Sequence, residues 1–308
     1  MILTICPNPS IDCTIELDNL NVGMLNRIRN KVETYSGKAL NAAIGVSRLD
    51  EAVTATGFMF NDHARLFEQV LDREGVKYDF VYCDGAARVN YKIIDKKSML
   101  TEINDKGQKV EKELADALIG KIADLSSDCD IAVVSGSLPD GVEPDYYGKM
   151  VSAIPKRVKI IVDTEKENMN AAISGGEIFM VKPNLRELEK FAEREVETFP
   201  DMLKAARLYL DKGVKYVMIS LGADGAILTD GKDNFYCRST TVAVNSTVGA
   251  GDSMVAAACV GLTRALPMKE ILRMSVAAGT ASITTSGTNL FYKDKYEEIY
   301  SKIYVERI

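Results

Sequence analysis

The chain has 308 residues, of which 46% are hydrophobic and 27% charged, a balance typical of one large globular α/β domain or two smaller ones. Its net charge of −6 argues against nucleic-acid binding, so an anionic ligand would need a local basic cluster. Every uncharged apolar run is shorter than the ~20 residues that span a bilayer, and Pro7 interrupts the first one, so we expect neither a membrane partner nor a signal peptide.

Cysteine and histidine usage narrows the chemistry further. The six cysteines are scattered without a Cys-x-x-Cys pair, which predicts neither a zinc site nor a disulfide framework and favours a reducing, cytoplasmic location. His63 is the single histidine, and its neighbours predict an ordinary surface helix. A Ser-His-Asp or Cys-His hydrolase would depend on this one residue, so that class is disfavoured.

The first third of the chain combines a buried strand with segments of a different kind. Residues 2–6 form the strand, which ends at Pro7-Asn8-Pro9 and is followed by Asp12. Short alternating segments that do not fit strand–helix–strand spacing lie near 14–17, 31–35, 88–94 and 99–103. We interpret them as a small separate sheet, inserted at about 12–35 and 86–105, that covers the active site as a lid.

After Gly107 the pattern changes to alternating strands and helices. Strands are predicted at 131–135, 159–163, 178–181, 216–221 and 226–229, and helices near 111–125, 145–153 and 199–211. This spacing predicts a mostly parallel sheet flanked by helices. Ligands of such sheets bind beyond the carboxyl ends of the strands. Polar residues and glycines recur at those ends: Asp12, Ser135-Gly136, Asp163, Lys182 to Asn184 and Ser220 to Gly222.

The sequence Gly249-Ala250-Gly251-Asp252 precedes a run of small apolar residues that predicts a buried helix over about 253–262. Asp252 would lie near the first turn, where free N–H groups and the helix dipole bind anions. An anion pocket with a carboxylate at its edge suits phosphoryl transfer. The alternative is an ordinary turn and N-cap. A Rossmann fingerprint fails at Met254, and a Walker A loop fails because Ala39 follows Gly37-Lys38.

Two further features each admit two interpretations. Gly37-Lys38 lies at a predicted helix start and indicates either an anion site or an ordinary loop. Arg88, Asn90 and Lys92 share one face of a strand, and that face would cover a ligand or be solvated. Both alternatives stay open on these residues alone. Seven spaced motifs form a stronger signal together than any one of them does. They are Asn8-Pro9-Ser10-Ile11-Asp12, Gly37-Lys38-x-x-Asn41, Arg88-Val89-Asn90-x-Lys92, Ser135-Gly136-Ser137-Leu138-Pro139, Lys182-Pro183-Asn184-x-x-Glu187-Leu188, Ser220-Leu221-Gly222-x-x-Gly225-Ala226 and Val248-Gly249-Ala250-Gly251-Asp252-Ser253.

Over essentially the whole chain these motifs resemble the ribokinase family of sugar kinases, in its phosphofructokinase-B branch. The resemblance implies a ribokinase-like α/β fold with one kinase domain over residues 1–308, a small β-sheet lid and a homodimer formed through that lid. It implies ATP and Mg2+ as cofactors, with a monovalent cation as a further possibility. Two departures concern the sugar loop and one strand end: Ser36 and Ala39 replace glycines, and Thr164-Glu165-Lys166 follows Asp163.

The resemblance also implies a role for each matching residue. The catalytic base is Asp252, and its anion hole is formed by Gly249, Ala250 and Gly251. The sugar contacts are Asp12, Gly37, Lys38 and Asn41, and the substrate-phosphate contacts are Arg27 and Arg88. The nucleotide contacts are Lys182, Asn184, Ser220, Gly222 and Gly225. The Mg2+ contacts are Glu187 and Asn184, partly through water, since one helical turn separates them.

The expected function is ATP-dependent phosphorylation of a ketohexose monophosphate, with fructose 1-phosphate giving fructose 1,6-bisphosphate as the preferred reaction. Tagatose 6-phosphate is the alternative substrate, because both sugars carry a phosphate at one end and a free primary hydroxyl at the other. A sugar-phosphate-binding regulator without turnover is the alternative from another class. A NAD-dependent oxidoreductase would need a glycine fingerprint after the first strand, which this chain lacks.

Overall fold

The computed structural model describes residues 1–97, 99–285 and 290–308. Its strands are β1 (Ile2–Cys6), β2 (Ser10–Glu16), β3 (Asn30–Ser36), β4 (Val53–Phe60), β5 (Lys77–Tyr78), β6 (Val81–Cys83), β7 (Arg88–Ile94), β8 (Leu100–Ile103), β9 (Ile131–Ser135), β10 (Lys159–Asp163), β11 (Met180–Val181), β12 (Tyr216–Ser220), β13 (Ala226–Thr229), β14 (Asn234–Cys237) and β15 (Val305–Arg307). Its helices are α1 (Lys38–Arg48), α2 (Ala64–Arg73), α3 (Lys112–Ser126), α4 (Tyr146–Ala153), α5 (Lys166–Gly175), α6 (Leu185–Ala192), α7 (Phe199–Leu210), α8 (Ala250–Thr263), α9 (Met268–Ser282) and α10 (Lys293–Lys302).

A large sheet forms the centre of the molecule, in the order β15-β14-β13-β12-β11-β10-β9-β1-β4-β5, with β6 also paired to β4. The strands from β5 to β12 run parallel, and β12 to β15 form an antiparallel edge. β1 and β9 are buried along their whole length because helices cover both faces of the sheet. The predicted ribokinase-like fold, with a mostly parallel sheet flanked by helices, is confirmed.

A separate four-stranded sheet has the order β3-β2-β7-β8. β2 lies parallel to β7 and antiparallel to β3, and the register pairs Ser10 with Arg88 and Asp12 with Asn90. Because side chains alternate across a strand, these four residues share one face of the sheet. The small sheet is therefore present as expected, and β2 and β3 each reach slightly beyond the insert predicted at about 12–35.

Several elements differ from the sequence prediction. The strand expected at 178–181 is only Met180–Val181. The sequence patterns did not predict α5, α9, α10, β14 or β15. Buried residues occur all around α9, so it lacks the polar face that marks a surface helix in sequence.

The described helices include none that is long and apolar enough to cross a bilayer. All six cysteines are free thiols, and all are buried.

Candidate active site

The first turn of α8 carries the carboxylate of Asp252. Gly249 precedes the helix in a left-handed conformation, with φ of 80°, which glycine adopts at little cost. From Asp252 to Leu262 every residue of α8 is buried, which fixes the helix rigidly against its neighbours. The helix begins at Ala250 rather than at residue 253, and Asp252 lies in its first turn as predicted. Free N–H groups at this end point toward any anion bound there.

Asp252 is 9% exposed, and the Asn41 side-chain amide donates a hydrogen bond to it at 2.8 Å. Burial raises the pKa of Asp252 to about 6, against the opposing effects of Lys38 and of the Asn41 hydrogen bond. The charge of Asp163 raises this pKa further, and that of Lys182 lowers it. Asp252 is thus ionised at neutral pH while remaining more basic than an ordinary aspartate, which suits a general base.

A second buried carboxylate, Asp163, lies at the carboxyl end of β10. Its two oxygens lie 3.5 Å from the ammonium groups of Lys38 and Lys182, one oxygen to each lysine. Burial opposes ionisation of Asp163, but the two ammonium groups hold its pKa below the usual value. The same pairing raises the pKa of Lys38. A Cβ on Gly251 would lie 3.1 Å from Lys182 Nζ, so this ammonium lies beside the start of α8.

Asp12 forms the third buried carboxylate, on the small sheet. Its oxygens accept hydrogen bonds from side chains of four residues, at distances of 3.0 to 3.4 Å. The donors are Ser10, Ser36, Asn90 and Lys92. Lys92 is 7% exposed, and its ion pair with Asp12 offsets the cost of burying both charges.

These three carboxylates line one cleft of about 460 Å³ between the small sheet and the carboxyl ends of the large sheet. Arg88 enters it from β7. Its Nη atoms donate to the backbone oxygens of Asp105 and Asn8 at 3.2 and 3.3 Å. Its Nε is buried without a hydrogen-bond partner among the described residues. A guanidinium in this condition, in the same cleft as Lys38, suits a phosphate group.

A second cavity of about 280 Å³ adjoins the cleft and shares Asn184, Ser220 and Gly251 with it. Gly222 and Gly225 form part of its wall, and a Cβ on Gly225 would lie 1.9 Å from the backbone oxygen of Cys237. Its apolar side chains are Val244, Met254, Val276 and Ile283. An apolar slot beside the amides of a helix start fits a nucleotide, with the base in the slot and the phosphates toward α8.

Asn184 and Glu187 begin α6 as a capping box. Asn184 Oδ1 accepts from the Glu187 N–H at 2.9 Å, and Glu187 Oε2 accepts from the Asn184 N–H at 2.8 Å. One oxygen of Glu187 is therefore left for a metal ion. Residues 1–97, 99–285 and 290–308 contain no group of three or more His, Cys, Asp or Glu side chains that could hold a metal. This donor set fits Mg2+ bound mainly by nucleotide phosphates and water, as Mg2+ often is in kinases.

The structure brings together all but one of the residues expected at the site. The cleft is lined by Asp12, Gly37, Lys38, Asn41, Arg88, Lys182, Asn184, Glu187, Ser220, Gly249, Gly251 and Asp252. The adjoining cavity adds Ala250, Gly222 and Gly225. Arg27 lines neither the cleft nor the adjoining cavity. It is exposed in the segment 17–29 between β2 and β3. The site residues named from sequence did not include Ser36, Asn90, Lys92 or Asp163; Asn90 and Lys92 stood in a motif, and Asp163 at a strand end.

Comparisons with known proteins agree with this fold. A family model described as pfkB family carbohydrate kinase matches residues 8–295. A 1-phosphofructokinase of Vibrio cholerae is 29% identical over 308 residues, covering 100% of this chain and 97% of the relative. A tagatose-6-phosphate kinase of Staphylococcus epidermidis is 30% identical, covering 99% of both chains. The Escherichia coli phosphofructokinase-2 complex with substrates and products has a TM-score of 0.91 at 30% identity, covering 98% of both chains. The tetrameric inhibited form of that protein has a TM-score of 0.88 at 28% identity and the same coverage.

Proposed function

The chain belongs to the pfkB family of carbohydrate kinases, and from that premise we propose that it transfers the γ-phosphoryl group of ATP to fructose 1-phosphate, giving fructose 1,6-bisphosphate. The observation that carries the proposal is the position of Asp252, a buried and weakly acidic carboxylate at a helix start, in one cleft with Arg88 and Lys38. Tagatose 6-phosphate is the second candidate, since one relative is a tagatose-6-phosphate kinase.

In the proposed complex the substrate phosphate binds the basic side of the cleft. Arg88 offers its Nε, which lacks a hydrogen-bond partner among the described residues, to a phosphate oxygen. Lys38 adds a second positive charge. Gly37 and Asn41 approach the sugar from the start of α1, and Asp12 approaches from the small sheet. With its phosphate held at this end, a ketohexose monophosphate can extend its free primary hydroxyl toward Asp252.

Asp252 accepts the proton of that hydroxyl as the oxygen forms its bond to the γ-phosphorus and the bond to the leaving diphosphate oxygen breaks. The Asn41 amide holds the carboxylate in place through its 2.8 Å hydrogen bond. N–H groups at the start of α8, from Gly249, Ala250 and Gly251, donate to the transferring group and stabilise its charge. Lys182 lies beside this helix start and adds a positive charge.

The nucleotide binds the adjoining cavity, with Ser220, Gly222 and Gly225 around it and Asn184 at the boundary with the cleft. Glu187 and Asn184 would hold Mg2+, partly through water, and the ion would neutralise charge on the nucleotide phosphates. We include a monovalent cation in the proposal as an activator of the kinase reaction, which the assay described below tests. We place the enzyme in the cytoplasm, because the reaction consumes ATP and the six cysteines are free thiols.

The small sheet acts as the lid in this proposal and excludes water that would otherwise be phosphorylated. We further propose that two chains pair through their lids. A tetrameric form exists for E. coli phosphofructokinase-2, so the assembly of this chain requires its own measurement. Arg27 does not line the cleft of its own chain, and it would reach a substrate phosphate through a rearranged lid loop or from the second chain.

The test is ADP release with ATP and Mg2+, comparing fructose 1-phosphate, tagatose 6-phosphate and fructose 6-phosphate at equal concentrations. We expect kcat/KM to be at least tenfold higher for fructose 1-phosphate, a difference of about 1.4 kcal/mol. A tenfold preference for tagatose 6-phosphate would select the alternative. Calorimetric binding of a sugar phosphate without ADP release would instead indicate a regulator. The same assay with K+ replaced by a large organic cation measures the monovalent-cation requirement.

A further inference from the structure

The side chain of Ser36 is placed to decide which sugar phosphate the cleft accepts. We propose that Ser36 is a specificity-determining residue: its hydroxyl donates a hydrogen bond to Asp12, and its oxygen accepts one from a sugar hydroxyl. This inference rests on the proposed function and adds to it the chemistry of the sugar-facing wall.

The hydrogen bonds of Asp12 leave its carboxylate filled. An ionised carboxylate offers about four lone-pair positions, two on each oxygen. Ser10 Oγ and Asn90 Nδ2 donate to Oδ1 at 3.4 and 3.1 Å. Ser36 Oγ and Lys92 Nζ donate to Oδ2 at 3.1 and 3.0 Å. Donors from the described part of the chain therefore fill all of these positions, and a sugar hydroxyl can bind Asp12 only by displacing one of them.

The acceptors that remain for a sugar belong to the donors themselves. The hydroxyl proton of Ser36 is committed to Asp12, so its oxygen presents only lone pairs. The amide of Asn90 turns its NH2 group to the carboxylate, which leaves its Oδ1 buried and without a hydrogen-bond partner among the described residues. Both residues line the cleft. Each of them can accept one hydrogen bond from a sugar hydroxyl.

Burial makes this arrangement selective. Ser36 is 4% exposed and Asp12 is 5% exposed, so water cannot easily replace a missing partner. A site built to hydrogen-bond a substrate hydroxyl rejects analogues that leave its buried polar groups unpaired. Fructose 1-phosphate and tagatose 6-phosphate differ in the configuration at C4 and in the carbon that carries the phosphate. With the phosphate held at one end, the two sugars therefore direct their hydroxyls differently, and acceptors fixed on the small sheet can sense that difference.

The experiment compares the wild-type enzyme with Ser36→Ala and Ser36→Gly, both of which remove the hydroxyl. The matched control is Ser47→Ala, which removes a hydroxyl that donates to Glu74 O at 2.6 Å and lies outside the cleft. Steady-state kinetics are measured with the three sugar phosphates, and the thermal unfolding midpoint confirms that each variant is folded. We expect both Ser36 variants to change the ratio of kcat/KM between two sugar phosphates at least tenfold, with the KM for ATP and the control ratio unchanged.

The possible outcomes distinguish failure of the proposed function from failure of the role given to Ser36. A wild-type enzyme that turns over none of the three sugars would overturn the proposed function, and this inference with it. A wild-type enzyme that discriminates, with Ser36 variants whose ratios stay within twofold of it, would overturn the role of Ser36 alone. A uniform loss of kcat/KM for all three sugars would also overturn it, because a residue needed only for structure or uniform binding leaves the ratio unchanged.

Discussion

At the residue scale, the burial that makes Asp252 a suitable base also lowers the stability of the fold when Asp252 is ionised. Burial raises its pKa from the usual 3.8 to about 6, so the folded state favours the protonated form. The contribution of Asp252 to stability is therefore greatest below pH 4, falls as the pH rises toward about 6, and is lower by ~3 kcal/mol above it. A proposed catalytic group whose ionised form destabilises the fold is typical of an active site.

Replacing Asp252 by asparagine should separate these two effects. The amide keeps an acceptor for Asn41 but cannot take a proton, so we expect kcat to fall by ~10²–10⁴-fold with the KM values little changed. The unfolding midpoint at pH 7.5 should equal or exceed that of the wild type, because a buried charge has been removed. Kinetics and calorimetry at that pH test both parts, and a kcat near the wild-type value would refute the assignment of the base.

Asp163 should control the pH at which activity appears. In the wild type, kcat/KM should decline tenfold per pH unit below about 6, as Asp252 becomes protonated. The charge of Asp163 raises the pKa of Asp252, so Asp163→Asn should move this acidic limb to lower pH. The substitution also leaves Lys38 and Lys182 without their buried partner, which typically costs ~3–5 kcal/mol. A pH–rate profile and a denaturation curve measure the two effects.

The control for this variant is Asp145→Asn, whose exposed ion pair with Lys149 lies at the start of α4. Removing that pair should change stability by no more than ~1 kcal/mol and leave the pH profile unaltered. An acidic limb that stays in place in Asp163→Asn would show that its charge does not act on the base.

At the scale of elements, the packing of α1 against α8 positions the proposed base. The bond between Asn41 and Asp252 joins residues 211 positions apart in sequence, one on each of these helices. Gly45 allows the close approach, because a Cβ there would lie 2.6 Å from the Cβ of Ala256. Gly45→Ala should force the helices apart, destabilise the fold by ~1–3 kcal/mol and lower kcat.

The matched control is Gly120→Ala in the exposed interior of α3, where an added Cβ would meet nothing within 4 Å. There alanine should stabilise the helix by ~0.5–1 kcal/mol and leave kcat unchanged. Chemical denaturation and initial rates compare the two variants directly, and equal behaviour would contradict the role given to the α1–α8 contact.

Local sequence patterns predicted several strands closely but could not reveal contacts between residues far apart in the chain. The strands β7, β9, β10 and β13 were predicted at their observed bounds, because alternation or a short buried run is a local signal. Lys92 lay in a recognised motif, but its partner Asp12 is 80 positions away, and only folding reveals the pair. In the same way, Asp163 was predicted as a polar strand end, while its two lysines come from the start of α1 and the end of β11.

At the scale of the whole molecule, the lid carries the largest share of exposed apolar side chains. Nine of the seventeen large hydrophobic residues exposed in the described part of the chain belong to it or its loops: Val22, Met24, Leu25, Ile28, Val32, Tyr91, Met99, Leu100 and Ile103. Apolar surface concentrated in this way favours association, as in the proposed dimer.

Ile103→Lys should therefore weaken self-association without unfolding the chain, because this side chain is 55% exposed. Sedimentation at micromolar concentration should show a smaller species than the wild type. The control is Leu208→Lys on α7, 40% exposed and outside the lid, which should leave the mass unchanged. Identical sedimentation of wild type and Ile103→Lys would count against association through this face.

The six buried thiols allow local opening of the structure to be followed by chemical modification. A water-soluble alkylating reagent reaches a sulfur only after the surrounding structure separates, and regions open with different free energies. Cys13 lies in β2 of the lid, whereas Cys259 lies in α8 at the centre. Alkylation of Cys13 ahead of Cys259 reports lid separation, and simultaneous alkylation reports global unfolding. Any ligand that clamps the lid onto the cleft slows the first modification selectively, so a mass spectrum can reveal ligand binding without catalysis.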